Sequence, residues 1–254
     1  MTYGLWLSAG GLQINEYRQS LLANNLANSS TTGFKHDLAV IHERAVESRD
    51  EPGGQRFAHG VLDHLTGGSW VRPTVHTFEK GDFERTDNPL DVAIDGTGFL
   101  SVSDGTETRY TRDGSMTLNR NGELVMSAGQ GRWRVLDEGG APILLDPAGG
   151  EIEIGGDGTV HQGGESVGRL GVVDFDDTEQ LSKVGANLYV NHGAAMRPAE
   201  SAIRSRYLEM STVSPVKALA EMIEASRAYQ VNANLISLQD QTIGQAVTTV
   251  GRIG

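Results

Sequence analysis

The sequence of 254 residues contains no cysteine. This absence excludes disulfide bonds, thiolate zinc ligands and cysteine nucleophiles. Basic residues are also few: 21 Lys and Arg stand against 33 Asp and Glu, which leaves a formal net charge of −12. A nucleic-acid-binding protein needs clustered Lys and Arg to neutralise phosphates, so we expect no nucleic-acid partner.

Long apolar runs are missing as well. No stretch approaches the ~20 apolar residues that a transmembrane helix needs, so we expect no membrane span. The first residues, MTYGLWLSAGG, have neither a basic start nor a long apolar segment. If the protein leaves the cytoplasm, we therefore expect it to do so without a cleaved secretory signal.

Proline and glycine are scarce at both ends of the chain. All seven prolines lie between Pro52 and Pro215, and 26 of the 33 glycines lie within residues 45–213. Charge is divided in the same way, because residues 45–213 hold 15 basic and 27 acidic side chains while both ends are balanced. Nearly neutral ends can pack against copies of themselves, whereas an acidic middle stays solvated.

The N-terminal end has the spacing of an amphipathic helix. We predict a helix from about Thr2 to Ser29 that ends before Gly33, a residue suited to a left-handed exit. One stripe of this helix combines apolar, small and amide residues at intervals of three and four, namely Leu7, Gly10, Ile14, Tyr17, Leu21, Asn24 and Asn28.

The C-terminal end predicts a longer helix. Ser214 is a suitable N-cap, and Pro215 is suited to the first helical position. The predicted stripe steps by four and three through Met222, Ser226, Tyr229, Ala233, Ile236, Asp240, Ile243, Val247 and Val250. A helix of roughly 36 residues would be about 54 Å long, which favours a coiled-coil-like element.

The middle of the chain has the pattern of short β-strands separated by turns. Asp113-Gly114 and Asn121-Gly122 are dipeptides typical of hairpins. The strand candidates surround Val92–Val102, Tyr110–Leu118, Glu123–Met126, Arg132–Asp137, Pro142–Asp146, Glu151–Ile154, Gly168–Phe175 and Asn187–Val190. We therefore predict an α+β fold, with long N- and C-terminal helices pairing as a coiled coil and a central antiparallel all-β domain.

These patterns predict four segments. They are an N-terminal helix with its following segment (1–44), an irregular connector (45–75), a β-rich outer domain (76–213) and a C-terminal helix (214–254). Residues 1–44 and 214–254 would form the core of an assembly.

Candidate sites for chemistry fit poorly. His59 and His64 lack the i, i+4 spacing of a zinc-binding helix. The acidic run from Asp174 to Glu179 lacks the glycine and terminal Glu of an EF-hand loop. Gly96–Gly98 lacks the third glycine of a dinucleotide fingerprint, and no Gly-x-Ser-x-Gly elbow occurs. We therefore predict no catalytic, cofactor-binding or metal-binding residues, and no enzyme.

Three asparagines near the end of the first helix allow two interpretations. Asn24, Asn25 and Asn28 are poor helix formers. Their amides could cap a fraying helix end, or they could lie in a packed interface and set its register. Their spacing does not decide between these accounts.

These residues resemble a known family. Residues 21–28 (LLANNLAN) and 32–35 (TGFK) are similar to the N-terminal signature of flagellar basal-body rod and hook proteins. Residues 88–99 (NPLDVAIDGTGF), with Tyr110-Thr111-Arg112 and Asn121-Gly122, are similar to the family's core strand region. Glu221-Met222-Ile223, Arg227-Ala228-Tyr229 and Asn232 resemble its terminal helix.

The resemblance implies a structural subunit of the flagellar rod, located in the basal body of the bacterial flagellum. Such subunits are exported by the flagellar type III apparatus without a cleaved signal peptide, and the rod crosses the periplasm. The expected partners are other copies of the chain, other rod and hook-basal-body proteins and the export apparatus, with no cofactor. Length favours the FlgF and FlgG type, and residues 45–75 favour the proximal-rod type, FlgF.

The resemblance also implies an assembly interface on the two terminal helices and the segment after the first. The expected residues are Leu21, Asn24, Asn25, Leu26, Asn28, Thr32, Gly33, Phe34, Met222, Ile223, Arg227, Tyr229, Asn232 and Ile236. One departure lies before the last helix, where Ser211-Thr212-Val213 replaces the family's usual Ser-Asn-Val and is expected to alter a local hydrogen bond. The alternative hypothesis is a secreted β-rich carbohydrate-binding or hydrolytic protein with helical flanks.

Overall fold

The computed structural model describes residues 2–43, 68–71 and 75–250. The chain divides into two compact units. The helical unit takes residues 1–27, 37–75 and 215–254, and the β unit takes residues 28–36 and 76–214. Most of the predicted connector 45–75 lies outside the described residues, as do His59 and His64.

The helical unit is built on the two predicted terminal helices. Helix α1 spans Thr2–Ala27 and helix α2 spans Pro215–Val250. The predicted start of α2 at Pro215 is confirmed, and α1 ends two residues before the predicted Ser29. The helices pack antiparallel, because Gly4 lies against Gln239 and Gly11 against Asn232.

Four short strands lie in this unit or at its border: β1 (Asp37–Leu38), β2 (Ile41–Glu43), β3 (Ser69–Val71) and β4 (Val75–His76). Strands β2 and β3 pair antiparallel, with His42 opposite Trp70. The described part of the predicted connector thus includes strand structure.

The β unit contains sixteen further strands among its described residues. They are β5 (Phe83–Arg85), β6 (Val92–Asp95), β7 (Phe99–Ser103), β8 (Thr108–Thr111), β9 (Met116–Leu118), β10 (Leu124–Met126), β11 (Arg134–Val135), β12 (Ile152–Ile154), β13 (Thr159–Gln162), β14 (Glu165–Arg169), β15 (Val172–Phe175), β16 (Leu181–Lys183), β17 (Leu188–Asn191), β18 (Met196–Pro198), β19 (Ala202–Ser205) and β20 (Tyr207–Glu209).

The largest sheet has nine strands, with the order β16-β17-β8-β7-β11-β10-β9 and with β15 joining β7 to β18. Strands β12, β13 and β14 form a separate three-stranded sheet. Two pairs bring distant parts of the chain together, since β6 pairs with β19 and β5 pairs with β20. All these pairs are antiparallel, so the predicted α+β class with an antiparallel β domain is confirmed.

Two clusters of buried side chains form the core of the β unit. The larger one is aliphatic and includes Val92, Leu100, Leu124 and Val160. The smaller one is aromatic, and in it Phe99 and Tyr189 lie 5.7 Å apart between ring centroids. Offset and edge-on ring contacts of this kind add stability beyond their buried area.

The two predicted hairpin dipeptides have different outcomes. Asn121-Gly122 connects β9 to β10, which pair in register with Leu118 opposite Leu124, so this prediction is confirmed. Asp113-Gly114 does not form a hairpin, because β8 pairs with β7 and β17 rather than with β9. A Cβ at Gly114 would overlap the carbonyl oxygen of Val92, so glycine there permits close backbone approach.

The predicted strand at residues 142–146 does not form a continuous strand. Residues 142–146 form only isolated bridges, with Pro142 opposite Leu136 and Leu144 opposite Glu123. A proline at the start of the segment removes a backbone donor that a continuous ladder would need.

The Asn121-Gly122 turn can be tested with a matched pair of substitutions. Gly122 and Gly140 have nearly equal φ values of 78° and 81°, but a Cβ would overlap Leu145 O at Gly122 and would meet nothing within 4 Å at Gly140. We expect Gly140→Ala to lower the free energy of unfolding by about 1–2 kcal/mol. Gly122→Ala should lower it by about 1–3 kcal/mol more, because the methyl group also overpacks.

Urea unfolding of both variants measures this difference. Equal losses of stability would show that only the left-handed conformation matters at the turn.

Candidate assembly surfaces

Helices α1 and α2 meet along a seam of small and amide side chains. On α1, Ser8 and Asn15 are buried, and on α2, Ala218 and Ala225 are buried. Ala218, Ala225, Asn232 and Gln239 follow one another at intervals of seven residues, the repeat of a coiled coil. A Cβ at Gly11 would lie 2.9 Å from Asn232 Oδ1, so the helices approach closely there.

The stripe of α1 residues buried in the seam is shifted by about one residue from the predicted stripe. Leu7, Gly10, Ile14 and Tyr17 of that stripe are only partly buried, and Asn24 is exposed. The physical reason is that small residues let two backbones approach more closely than large apolar side chains do. Leu21 is the member of the predicted stripe that is buried.

Two buried or partly buried amides of the seam bond to their own helices. Asn15 Nδ2 donates to Gly11 O at 2.8 Å, and Asn232 Nδ2 donates to Ala228 O at 3.0 Å. Each bond reaches back four residues and satisfies one amide donor without a partner from the other helix.

Large apolar side chains of α2 are exposed on the side away from the seam. Val216, Ile223 and Leu238 are 80%, 48% and 58% exposed. With 3.6 residues per turn, Val216 and Ile223 lie on the opposite side of the helix from Ala218 and Ala225, and Leu238 lies about 100° around the helix from Gln239. Leu219 and Val231 are exposed as well, and together these five apolar residues form the outer face of α2.

Asn25 is engaged inside the helical unit. Its Nδ2 donates to Asp37 O at 2.8 Å, and its Oδ1 accepts from Asp37 N at 3.0 Å. The side-chain amide therefore pairs with the backbone of β1 as a neighbouring strand would. Of the two interpretations of the asparagine cluster, this contact favours a local structural role for Asn25.

The segment after α1 is embedded in the β unit. The backbone NH of Gly33 donates to Glu209 O at 2.7 Å, and Thr32 Oγ1 donates to Asp113 Oδ1 at 2.8 Å. Gly33 has a φ of 64°, and a Cβ there would lie 2.5 Å from the backbone nitrogen of Asp113, so only glycine fits without displacement. The Phe34 ring is buried, and Lys183 Nζ lies 3.5 Å from its centroid.

A buried ion cluster lies beside this segment. Lys35 Nζ and Glu209 Oε1 are 2.6 Å apart, and the two side chains are 1% and 0% exposed. Arg112 Nη1 lies 3.7 Å from Glu209 Oε2. Burial lowers the pKa of Lys35 and of Arg112, and the nearby Glu209 carboxylate opposes both shifts.

Sequence reasoning missed this cluster. In the sequence, Lys35 and Arg112 stand out only as members of the family-like motifs at residues 32–35 and 110–112. Glu209 belongs to no motif. Pairing of a lysine with a glutamate 174 residues further along the chain cannot be read from local patterns.

The structure separates the expected interface residues into four groups. Thr32, Gly33 and Phe34 contact the β unit to which they belong. Leu21 and Asn25 are buried, whereas Asn24, Ile223, Arg227 and Tyr229 are exposed; Leu26, Asn28, Met222, Asn232 and Ile236 are intermediate. Their role in assembly remains a prediction.

Thr212, in the segment before α2, makes a side-chain contact, and the altered hydrogen bond expected there stays a prediction. The backbone NH of His36 donates to its Oγ1 at 3.1 Å. The acidic run also has structural partners, since Asp174 accepts from Arg197 and Thr97, and Asp177 caps a short 3-10 helix. In the described parts of the chain, no group of three His, Asp or Glu side chains is arranged to hold a metal ion.

The seam can be tested with two adjacent glycines. Gly10→Ala should raise the free energy of unfolding by about 1 kcal/mol, because alanine favours a helix and no atom lies within 4 Å of the new methyl group. Gly11→Ala gains the same propensity but meets the end of the Asn232 side chain, which must shift, so we expect it to be less stable than Gly10→Ala by about 0.5–1 kcal/mol. Circular dichroism at 222 nm during urea unfolding measures both; indistinguishable stabilities would contradict the close seam.

The ion cluster predicts an order of stability. Glu209→Gln leaves two buried cations without their acid and should cost about 3–5 kcal/mol. Lys35→Met should cost less, because it leaves Glu209 facing Arg112 at 3.7 Å. The control is Glu138→Gln, which breaks an exposed pair with Arg169 and should cost less than about 1 kcal/mol.

Urea unfolding of the three variants decides the order. A loss for Glu209→Gln no larger than that of the control would contradict a buried, charged cluster.

Comparison with known proteins matches three parts of the chain. Residues 7–35 match the family description "Flagella basal body rod protein", and residues 93–162 match "Flagellar hook protein FlgE/F/G D1 domain". Residues 204–249 match "Flagellar basal body rod FlgEFG protein C-terminal". Among the described residues, no helix has the length and apolar character to cross a membrane.

Whole-length relatives agree with these matches. The chain is 39% identical to the flagellar basal-body rod protein FlgF of Caulobacter vibrioides, over 92% of this chain and 91% of the relative. It is 33% identical to FlgG of Buchnera aphidicola subsp. Schizaphis graminum, over 96% and 98% of the two chains. It is 30% identical to FlgF of Mesorhizobium japonicum, over 99% of each.

These comparisons give no support to a carbohydrate-binding or hydrolytic protein. Their coverage extends from α1, through the β unit, to α2. The chain belongs to the flagellar basal-body rod protein family.

Proposed function

We propose that this chain is a structural subunit of the bacterial flagellar rod and that it polymerises through its terminal helices to form part of the axial drive shaft. The observation that carries the proposal is the outer face of α2, where Val216 is 80% and Leu238 is 58% exposed. Apolar side chains aligned on one side of a helix favour packing against another helix. Further subunits of the same shaft would provide that helix.

Family membership supports this role, since the matched relatives are named rod proteins. The role is structural rather than catalytic. The partners are other copies of the chain and other rod and hook-basal-body proteins, and the location is the basal body of the flagellum.

Export belongs to the same proposal. We propose that the flagellar type III export apparatus carries the chain out without cleavage of a signal peptide, and that the rod it joins crosses the periplasm. Similarity to proteins that are named flagellar basal-body rod proteins supports this route.

The two units would have different places in the shaft. The terminal helices, within residues 1–44 and 214–254, form the assembly core, and the β-rich residues 76–213 form the outer domain. Balanced charges at the ends and the acidic middle support this division. Within the core, exposed Ile223, Arg227 and Tyr229 are suited to contact neighbours directly.

The proximal-rod type, FlgF, remains the favoured position. Its support is the 39% identity to one FlgF protein, whereas the FlgG relative at 33% and the second FlgF relative at 30% do not separate the two types.

The outer face can be tested by placing a charge on it. Ile223→Asp and Leu238→Asp should reduce assembled basal bodies by about tenfold or more, because a charged group would have to lose water in a helix contact. Ser166→Asp adds the same charge at an exposed position of strand β14 in the β unit and is the control. Basal bodies are counted by electron microscopy in a strain that lacks the chromosomal gene and expresses each variant.

Circular dichroism of the purified monomers must show the same helix content for all variants. Normal numbers of basal bodies with both Ile223→Asp and Leu238→Asp would overturn assembly through this face.

A further inference from the structure

Two chain segments run side by side in the β unit, one just after α1 and the other just before α2. The backbone NH of Gly33 donates to Glu209 O at 2.7 Å, and the backbone NH of Thr212 donates to Phe34 O at 3.1 Å. The backbone NH of His36 donates to Thr212 Oγ1 at 3.1 Å. Residues 33–36 and 209–212 are therefore joined directly, and we call this arrangement the clasp.

The clasp is fastened to a third segment by the buried ion pair. Lys35 Nζ donates to Glu209 Oε1 at 2.6 Å and to Glu79 O at 2.5 Å. Glu209 Oε1 also accepts from the backbone NH of Gly81 at 2.8 Å. Lys35 and Glu209 thus hold both sides of the clasp to residues 79–81 through buried charges. Backbone bonds reach the same stretch of chain on either side of these residues, because Thr77 N donates to His36 O at 3.2 Å and Met210 N donates to Asp82 O at 2.8 Å.

If stability were its only role, the buried charged pair of Lys35 and Glu209 would be unfavourable compared with apolar side chains. Two buried ions lose their hydration, and well-packed apolar side chains of similar volume often stabilise a protein as well or better. A charged pair can instead favour one arrangement, because a shifted segment would leave a buried charge without its partner. Within the part of the chain that the structure describes, Glu209 Oε2 has no hydrogen-bond partner and lies 3.7 Å from Arg112, so no closer described cation would replace Lys35.

We infer that Lys35 and Glu209 are positioning residues that fix the separation and direction of two of the four points at which the chain enters or leaves the β unit. Those points are residues 28–31 and residues 213–214. Since α1 ends at Ala27 and α2 begins at Pro215, the clasp sets the spacing of their attachment points. The consequence for assembly rests on the proposed function; the fixed spacing does not.

The absence of cysteine makes this spacing measurable in the full-length chain. Ser30 and Ser214 are exposed and lie on the two sides of the clasp. Ser30→Cys and Ser214→Cys, each carrying a nitroxide label, give the distance distribution between the two points by pulsed electron paramagnetic resonance.

The test variant is Lys35→Met/Glu209→Gln. It removes one positive and one negative charge, so the net charge of the Lys35–Arg112–Glu209 cluster is unchanged. The amide oxygen of the introduced glutamine can still accept the hydrogen bond from the backbone NH of Gly81. The matched control is Arg169→Met/Glu138→Gln, which makes the same kind of replacement in an exposed ion pair of the β unit.

We expect the parent chain and the control to give one narrow distance peak. The test variant should keep a cooperative thermal unfolding transition but lose that narrow peak. A narrow peak at the parent distance in the folded test variant would overturn the inference, because the ion pair would then contribute only to stability. If the test variant does not fold, Lys35→Met alone, which leaves Glu209 near Arg112, is measured with the same two outcomes.

Assembly is read separately in the strain that lacks the chromosomal gene. We expect the test variant to lose most of the basal bodies that the control forms, and normal numbers would overturn a role for the fixed spacing in assembly. Failure of the parent chain itself to restore basal bodies would contradict the proposed function instead, while the distance measurement would still decide whether the pair positions the clasp.

Discussion

Glu209 joins three separate stretches of the chain, because its carboxylate accepts from Lys35 and Gly81 while its carbonyl oxygen accepts from Gly33. The pairing continues on either side of it. Strand β20 pairs with β5, and β19 pairs with β6, so residues near 84 and 94 meet residues near 208 and 203. The β unit is therefore closed by contacts between its beginning and its end. Contacts of such long sequence separation slow folding, because the entropy of closing a large loop opposes them.

The two halves of the N-terminal signature, residues 21–28 and residues 32–35, have different structural roles. LLANNLAN lies at the end of α1, where Asn25 bonds to the backbone of Asp37. TGFK lies in the β unit, where Gly33 and Lys35 bond to Glu209. A motif that is continuous in sequence thus acts in two structural units, which explains why it combines helix-forming residues with a left-handed glycine and a buried cation.

Much of the architecture could be predicted from local patterns. Pro215 indicates the start of α2, and Asn121-Gly122 indicates a hairpin. Both signals are reliable because these residues act directly on the backbone dihedral angles. Asp113-Gly114 has the same local signal but serves a tertiary contact, in which Gly114 lies against Val92 O. The signal shows that a turn conformation is permitted, not which strands it connects.

The candidate surfaces were less predictable for a related reason. Counting apolar residues places the stripe of α1 on Leu7 and Ile14, yet Ser8 and Asn15 are buried instead. A sequence pattern identifies residues that avoid water but cannot say which neighbour covers them. Lys35 was even less accessible to prediction, since a buried lysine is rare unless it is paired and its partner is 174 residues away.

The small and amide seam has a consequence for the rest of α2. Burial of apolar area contributes about 25 cal/mol per Å², and side chains such as Ala225 and Asn232 offer little of it. Pairing of α1 with α2 therefore leaves the larger apolar groups, among them Leu219, Ile223 and Leu238, on the outer face. Those groups are available to another helix without separation of the pair. A seam that fixes register by close approach, beside a face that supplies apolar area, allows a subunit to keep its own helices paired while it adds to a polymer.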